Sequence, residues 1–435
     1  MSSIVQPARS PDAAHTESSA RPRPPRIAVA HDWLVGRRGG EAVLEEILGV
    51  VERIGELDAL YVMFDDGQSL SPRIDAAPKQ VSWVGRLPMA SGTLRRHLLP
   101  LYPSAVASLS QALARSHAET PIDLVISTSS AAIKGLRTPP RHSITPDDVT
   151  TPPGDSMRVP HLCYIHAPAR YLWSRQGEYA RTSLARRLGL ALFAPSLRRW
   201  DAQSASHVTR FVANSTATAA QVREFYARES GVVHPPVDTA FFTPPPVGAK
   251  RGKHWLLVSA LEPYKRVDLA IRAAVTRGIE LRIVGDGSER ASLERLASGR
   301  VRFLGRVGND TLREEYRLAR LLIFPQEEDF GIVAGEALAC GLPVVARRAG
   351  GALDLVDDGV TGSMFDWDPA WDRPGADVEP SVRALTQAIE SCPPSDADVA
   401  ARCRASSMRF SREVFAKDIE REIDHVLATC AEDAR

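Results

Sequence analysis

Two doubly wound α/β halves joined by a proline-rich linker: this is the fold class the sequence predicts, and three observations predict it. Short apolar runs alternate with helical stretches, the pattern of parallel strands covered by helices on both faces. The alternation stops at VVHPPVDTAFFTPPPVGAKRGK, residues 232–253, where X-Pro steps hold the chain extended, and then it restarts. The 435 residues suffice for two domains of about 150–200 residues, each with its own core.

The first 25 residues, rich in Pro, Ser, Ala and Arg, read as a disordered tail. Order begins at RIAVAHDW, an apolar run ending in polar residues. GRRGGEAVLEEIL then gives a glycine-rich turn leading into an amphipathic helix. DLVIST (123–128), HLCYIHA (161–167) and RFVANS (210–215) supply further strands of an N-terminal domain over 26–240. Between Leu136 and Pro160 the prolines forbid a regular element, so that stretch is a long surface loop. In the C-terminal domain, 241–405, the strands are HWLLVSA, LRIVGDG, RVRFLG, LLIFP and PVVAR, with a helix from about Asp268 after the first. The last segment, 406–435, is a helix able to pack back on either domain, the N-terminal one included.

Composition narrows the function. Hydrophobic residues at 44% and charged residues at 25% fit a globular protein in water. A net charge of +1, without a zinc-finger or other nucleic-acid motif, gives no reason to expect a nucleic-acid partner. The five cysteines (Cys163, Cys340, Cys392, Cys403, Cys430) are scattered, odd in number and free of CxxC pairs. That argues against a disulfide framework or structural zinc, and for a reducing compartment. With no run of 18 apolar residues and no apolar signal core at the N-terminus, a cytoplasmic location is expected. GDGSER holds only a GxG, too little for a dinucleotide fingerprint, and no DxD triplet stands in a loop suited to a metal.

The stretch FPQEEDFGIVAGEALACGLPVVA poses the functional question. It reads as strand end, acidic loop, helix and next strand, with Gly341 and Pro343 ending the helix. Two readings stand on spacing alone. The acids complement the helix dipole while Glu336 lies on a solvated face. Alternatively, Glu328 at the loop mouth and Glu336 in the second turn reach two parts of one extended ligand, beside backbone N–H groups at the helix start.

E-x7-E, here Glu328 and Glu336 followed by ALACGLPVVA, resembles the signature of the family 4 retaining glycosyltransferases. Their fold is GT-B, two Rossmann-like domains facing across a cleft. VSALEPYKRVDLAI resembles the family's donor-phosphate segment, and VRFLGRV its nucleotide-base segment. HDWLVGRRGGEAVLEEI, LCYIHAPARYLWS, FVANSTATAAQVREFY and VVHPPVD resemble the bacterial GDP-mannose-dependent mannosyltransferases of O-antigen and exopolysaccharide type. The resemblance implies transfer of a hexosyl group, mannose from GDP-mannose, to a polyprenyl-diphosphate-linked saccharide in cell-surface polysaccharide biosynthesis. Two alternatives stay open: a UDP-sugar-dependent transferase of the same fold, and a non-catalytic nucleotide-sugar-binding protein.

The resemblance also implies roles. His166, Glu328 and Lys265 are the expected catalytic residues, Lys265 neutralising the diphosphate. Gly39, Gly40, Arg266, Arg306, Val307, Phe330, Gly331, Ile332 and Glu336 are expected to bind the donor, with Glu336 on the ribose hydroxyls. Arg170, Tyr171 and Trp173 are expected at the acceptor. Taken singly, His166 also reads as a structural histidine, Lys265 as a surface lysine, and the aromatic pair as packing. Ala260 stands where the family pattern has an arginine, so one positive charge is missing. The implied mechanism needs no metal and no cofactor beyond the nucleotide-sugar. SGTLRRHLLPLYPSA and ARTSLARRLGLALFAPSLRRW mix paired arginines with large apolar residues, which suits either peripheral contact with a membrane or ordinary helices with a charged face.

Overall fold

The computed structural model describes residues 23–36, 39–92, 95, 97–141, 158–174, 184–372 and 376–432. The N-terminal tail as far as residue 22, and most of the proline-rich stretch before Pro160, lie outside them. The first sheet contains β1 (Arg26–Leu34), β2 (Glu56–Asp65), β3 (Lys79–Val81), β4 (Leu124–Ser129), β5 (His161–Ile165), β6 (Arg210–Ala213) and β7 (Ser230–Val232). The second contains β8 (Trp255–Val258), β9 (Leu281–Val284), β10 (Val301–Gly305), β11 (Leu321–Phe324), β12 (Val344–Arg347) and β13 (Gly362–Phe365). Their orders are β3-β2-β1-β4-β5-β6-β7 and β10-β9-β8-β11-β12-β13, and the strand pairs are parallel.

Parallel strands covered on both faces must be apolar throughout, and β4, β5, β8 and β11 are buried along their whole length. Three strands arise from stretches that the apolar pattern does not single out: β3 and β7 are edge strands of three residues with partly exposed side chains, and β13 opens on glycine. A fourth strand absent from the sequence reading, β2, does carry an apolar run, ALYVMF, buried throughout. In each sheet the strand order reverses, between β1 and β4 and between β8 and β11. Crevices beyond the carboxyl ends of the strands at such reversals are where open α/β sheets bind ligands.

The first half of the linker is packed, whereas residues 246–250 are exposed. Val237 is fully buried in the C-terminal core, and its N–H donates to the carbonyl of Phe410 at 2.7 Å. The two chain crossings therefore run side by side. After the second crossing, helix Arg412–Glu432 buries Phe415, Ile419, Ile423 and Val426 against Ile47, Val51 and Leu162 of the N-terminal domain. Arg53 and Glu420 pair at 2.8 Å on its rim.

Candidate functional site

The acidic loop lies between β11 and helix Ile332–Ala339. Gly331 starts that helix at φ 106°, a conformation open to glycine, and a Cβ there would press within 2.8 Å of the Phe324 ring. Phe330 turns its ring into the core, against His234 and Phe410, so the acids beside it stay at the surface of the turn. From the other side, the loop after β12 closes on it: Gly351 N–H donates to the Glu328 carbonyl at 2.9 Å, and Gly351 has no room for a Cβ.

Each acid meets a cation from a different element. Glu327 pairs with Arg347 at 3.1 Å, Glu328 with Lys265, and Asp329 with Arg170 of the N-terminal domain. Three adjacent carboxylates are thus tolerated because three cations converge on them. Glu336, half-buried in the helix's second turn, accepts from the Tyr316 hydroxyl at 3.0 Å. Burial pushes its carboxyl up to about 7.

The N-terminal half of the site is built on β1, β5 and helix Gly39–Ile54. His166 follows β5, its N–H bonded to the Ser129 carbonyl at 2.7 Å and its ring edge-on to Tyr164. Its Nε2 is buried without a hydrogen-bond partner, and burial, with help from His31 and Arg170, pushes the imidazole down to about 3. His166 is therefore neutral at physiological pH. A Cβ on Gly40 would sit 3.7 Å from both this nitrogen and the His31 ring, so the Gly39-Gly40 turn roofs the histidines. Gly39 in turn faces the C-terminal domain: a Cβ there would come within 2.8 Å of Ile332 Cδ1. A third crossing contact links Thr216 N–H to Asp354 at 2.7 Å.

The structure thus gathers Gly39, Gly40, His166, Arg170, Lys265, Glu328, Gly331 and Ile332 at one cleft, with Glu336 one helical turn deeper. Others fall elsewhere. Arg266 takes a left-handed backbone and carries its guanidinium to Asp268 and the face of Trp367. Arg306 and Val307 follow β10, three strands from β11, and Val307 packs on the same apolar cluster as Phe330 and Ile332. Trp173 stacks on Phe225 at 4.9 Å and donates to Asp201 at 2.7 Å, and Tyr171 packs against the apolar cores beside it. These two aromatics are engaged in packing, while Arg170 beside them reaches Asp329 of the acidic loop. Ala260 is exposed, and Arg347, at the end of β12 and 4.6 Å over Trp367, is the cation the sequence reading missed. His31 was missed as well: it is 4% exposed, bonded to Thr128, and beside His166. HDW at the end of a strand was its only signal.

Among the described residues, no group of three or more His, Cys, Asp or Glu side chains could hold a metal ion, and no helix is long and apolar enough to cross a membrane. The architecture matches solved structures over nearly its whole length. Sucrose-phosphate synthase of Thermosynechococcus elongatus superposes with a TM-score of 0.66, covering 93% of this chain and 100% of that one, at 17% identity. HepE of Anabaena in complex with UDP gives 0.59, covering 92% and 100%, at 18% identity. The fold is GT-B. Residues 252–374, within the C-terminal GT-B domain, match the family described as glycosyl transferases group 1. D-inositol 3-phosphate glycosyltransferases of Mycolicibacterium smegmatis and Geodermatophilus obscurus are 35% and 33% identical over 38% and 42% of this chain. The match spans 44% and 47% of those relatives, under half their length.

Proposed function

We propose that this protein is a retaining glycosyltransferase that moves a hexosyl group from a nucleoside diphosphate sugar to a hydroxyl acceptor. One observation supports it above the rest: Lys265 and Glu328, paired at the open N-terminus of helix Ile332–Ala339, lie across a cleft from the orphaned Nε2 of His166. Lys265 and the helix terminus offset the charge that develops on a departing diphosphate. Neutral His166 hydrogen-bonds the sugar, and Glu336 accepts from the ribose. The leaving phosphate takes the acceptor proton on the same face through an oxocarbenium-like state, which retains configuration. With these cations in place, transfer is expected to persist in EDTA.

The sequence resemblance favours GDP-mannose as donor and a polyprenyl-diphosphate-linked saccharide as acceptor. A membrane-facing acceptor suits the exposed Trp83, Leu87 and Met89 and the exposed Leu192 and Phe193, whose neighbours include Arg86 and Arg199. A second reading, a UDP-sugar donor, is favoured by the UDP bound to HepE. Titration of the purified protein with GDP and UDP separates them. GDP binding at least about tenfold tighter supports the mannosyl reading; UDP equal or tighter rejects it and leaves the UDP-sugar reading.

A further inference from the structure

Glu336 differs from the three acids of the loop. Each of those faces a cation, whereas among the described residues no Lys, Arg or His lies within ion-pair distance of Glu336, and its partner is a phenol. Tyr316 is fully buried in the C-terminal core, its ring edge-on to Phe242 at 5.8 Å. A buried phenol needs an acceptor for its proton, and Glu336 Oε2 at 3.0 Å is that acceptor. The contact joins two elements, helix Asn309–Leu318 and helix Ile332–Ala339. The other titratable groups facing the carboxyl are Asp238, on the chain crossing, and Cys340, the C-cap of Glu336's own helix; neither is positive.

We propose that Tyr316 is a positioning residue for nucleotide binding: it holds Oε2 of Glu336 and turns Oε1 toward a vicinal hydroxyl pair on the ligand. The proposal rests on the nucleoside diphosphate reading and names a residue that never touches the ligand. Its consequence is a pH dependence. Only the ionised carboxyl can accept from the phenol and from both ligand hydroxyls at once. Burial and Asp238 raise its ionisation to about 7, while the Tyr316 hydrogen bond opposes the rise. Affinity therefore climbs with pH through neutrality, and loss of the phenol moves that climb to higher pH.

The test is calorimetric titration with UDP and GDP, from about pH 5.5 to about 9, of the wild type, Tyr316→Phe, Glu336→Gln and the double variant. The ligand's own phosphate titrates identically in all four. Tyr316→Phe is expected to bind about three- to tenfold more weakly at pH 7 and close to wild type at pH 9. Glu336→Gln is expected to remove the protein's share of the pH dependence, with Tyr316→Phe adding nothing on that background. A loss in Tyr316→Phe that is equal at every pH, or undiminished in the Glu336→Gln background, overturns the proposal. So does a wild-type profile no steeper than that of Glu336→Gln, which needs no Tyr316 variant to fold. If neither nucleotide binds the wild type at any pH, the nucleoside diphosphate reading falls too.

Discussion

Substituting Gly351 by alanine should cost activity more than stability. Its φ of −69° suits any residue, so the substitution brings no backbone strain. The obstacle is steric. A Cβ would overlap the backbone of Phe330 and lie 2.6 Å from its carbonyl carbon, where ordinary contact begins at 3.4 Å. The tightest contact is with Phe330 Cα at 2.2 Å, so the loop carrying Glu328 and Phe330 must give way by 1.2 Å or more. Displacement of a positioning group by about 1 Å costs on the order of 100-fold in turnover, while the overpacking itself costs about 1–3 kcal/mol. Gly359 is the matched control. It has φ 77° and open space around it, so alanine there meets about 1–2 kcal/mol of left-handed strain and leaves the acids in place. The assay is donor turnover beside urea denaturation for both variants. Wild-type turnover in Gly351→Ala, at unchanged fold, refutes the reasoning; so does an equal loss of turnover in Gly359→Ala.

The cross-cleft pair makes Arg170→Ala and Asp329→Ala non-additive: each should raise KM for the donor several-fold, and the double variant should be no worse than either, with additive effects in steady-state kinetics ruling the pair out. Stability should also depend on His161 and His166, whose imidazoles burial holds at about 3 in the folded protein against 6.5 unfolded. The unfolded chain binds the extra protons, so this contribution is whole above pH 6.5 and is lost as pH falls from 6.5 toward 3. The slope for each approaches about 1.4 kcal/mol per pH unit. Urea denaturation at stepped pH checks this: His161→Gln should flatten the profile, and a profile unchanged by it contradicts the assignment.

What the sequence makes legible follows from how locally each feature is encoded. β4 and β5 are buried on both faces and announce themselves as apolar runs, whereas the three-residue edges β3 and β7 carry no such run. The helix at Ile332 is framed by its own neighbours, with Gly331 before it and Gly341 after it, so its place could be read. His166 could be placed because a strand ends immediately before it. Arg347 and Gly351 could not: each matters only because parallel pairing of β11 and β12 sets their ends side by side. Trp173 is the opposite case. Its neighbour Arg170 reaches the cleft, but Asp201 and Phe225, distant in sequence, claim the indole for packing.

The side-by-side chain crossings at Val237 and Phe410 have a consequence for how the molecule is made. Synthesis runs from the amino end, and domains ordinarily fold as they emerge. Here Phe415, Ile419, Ile423 and Val426, which complete the core of the first domain, emerge only after the whole of the second. Until then Ile47, Val51 and Leu162 face an empty groove, so the half that begins first is finished last. A chain stopped just after Phe410 would hold a complete second domain and an open first one, and its failure would be aggregation through that groove, far from the cleft.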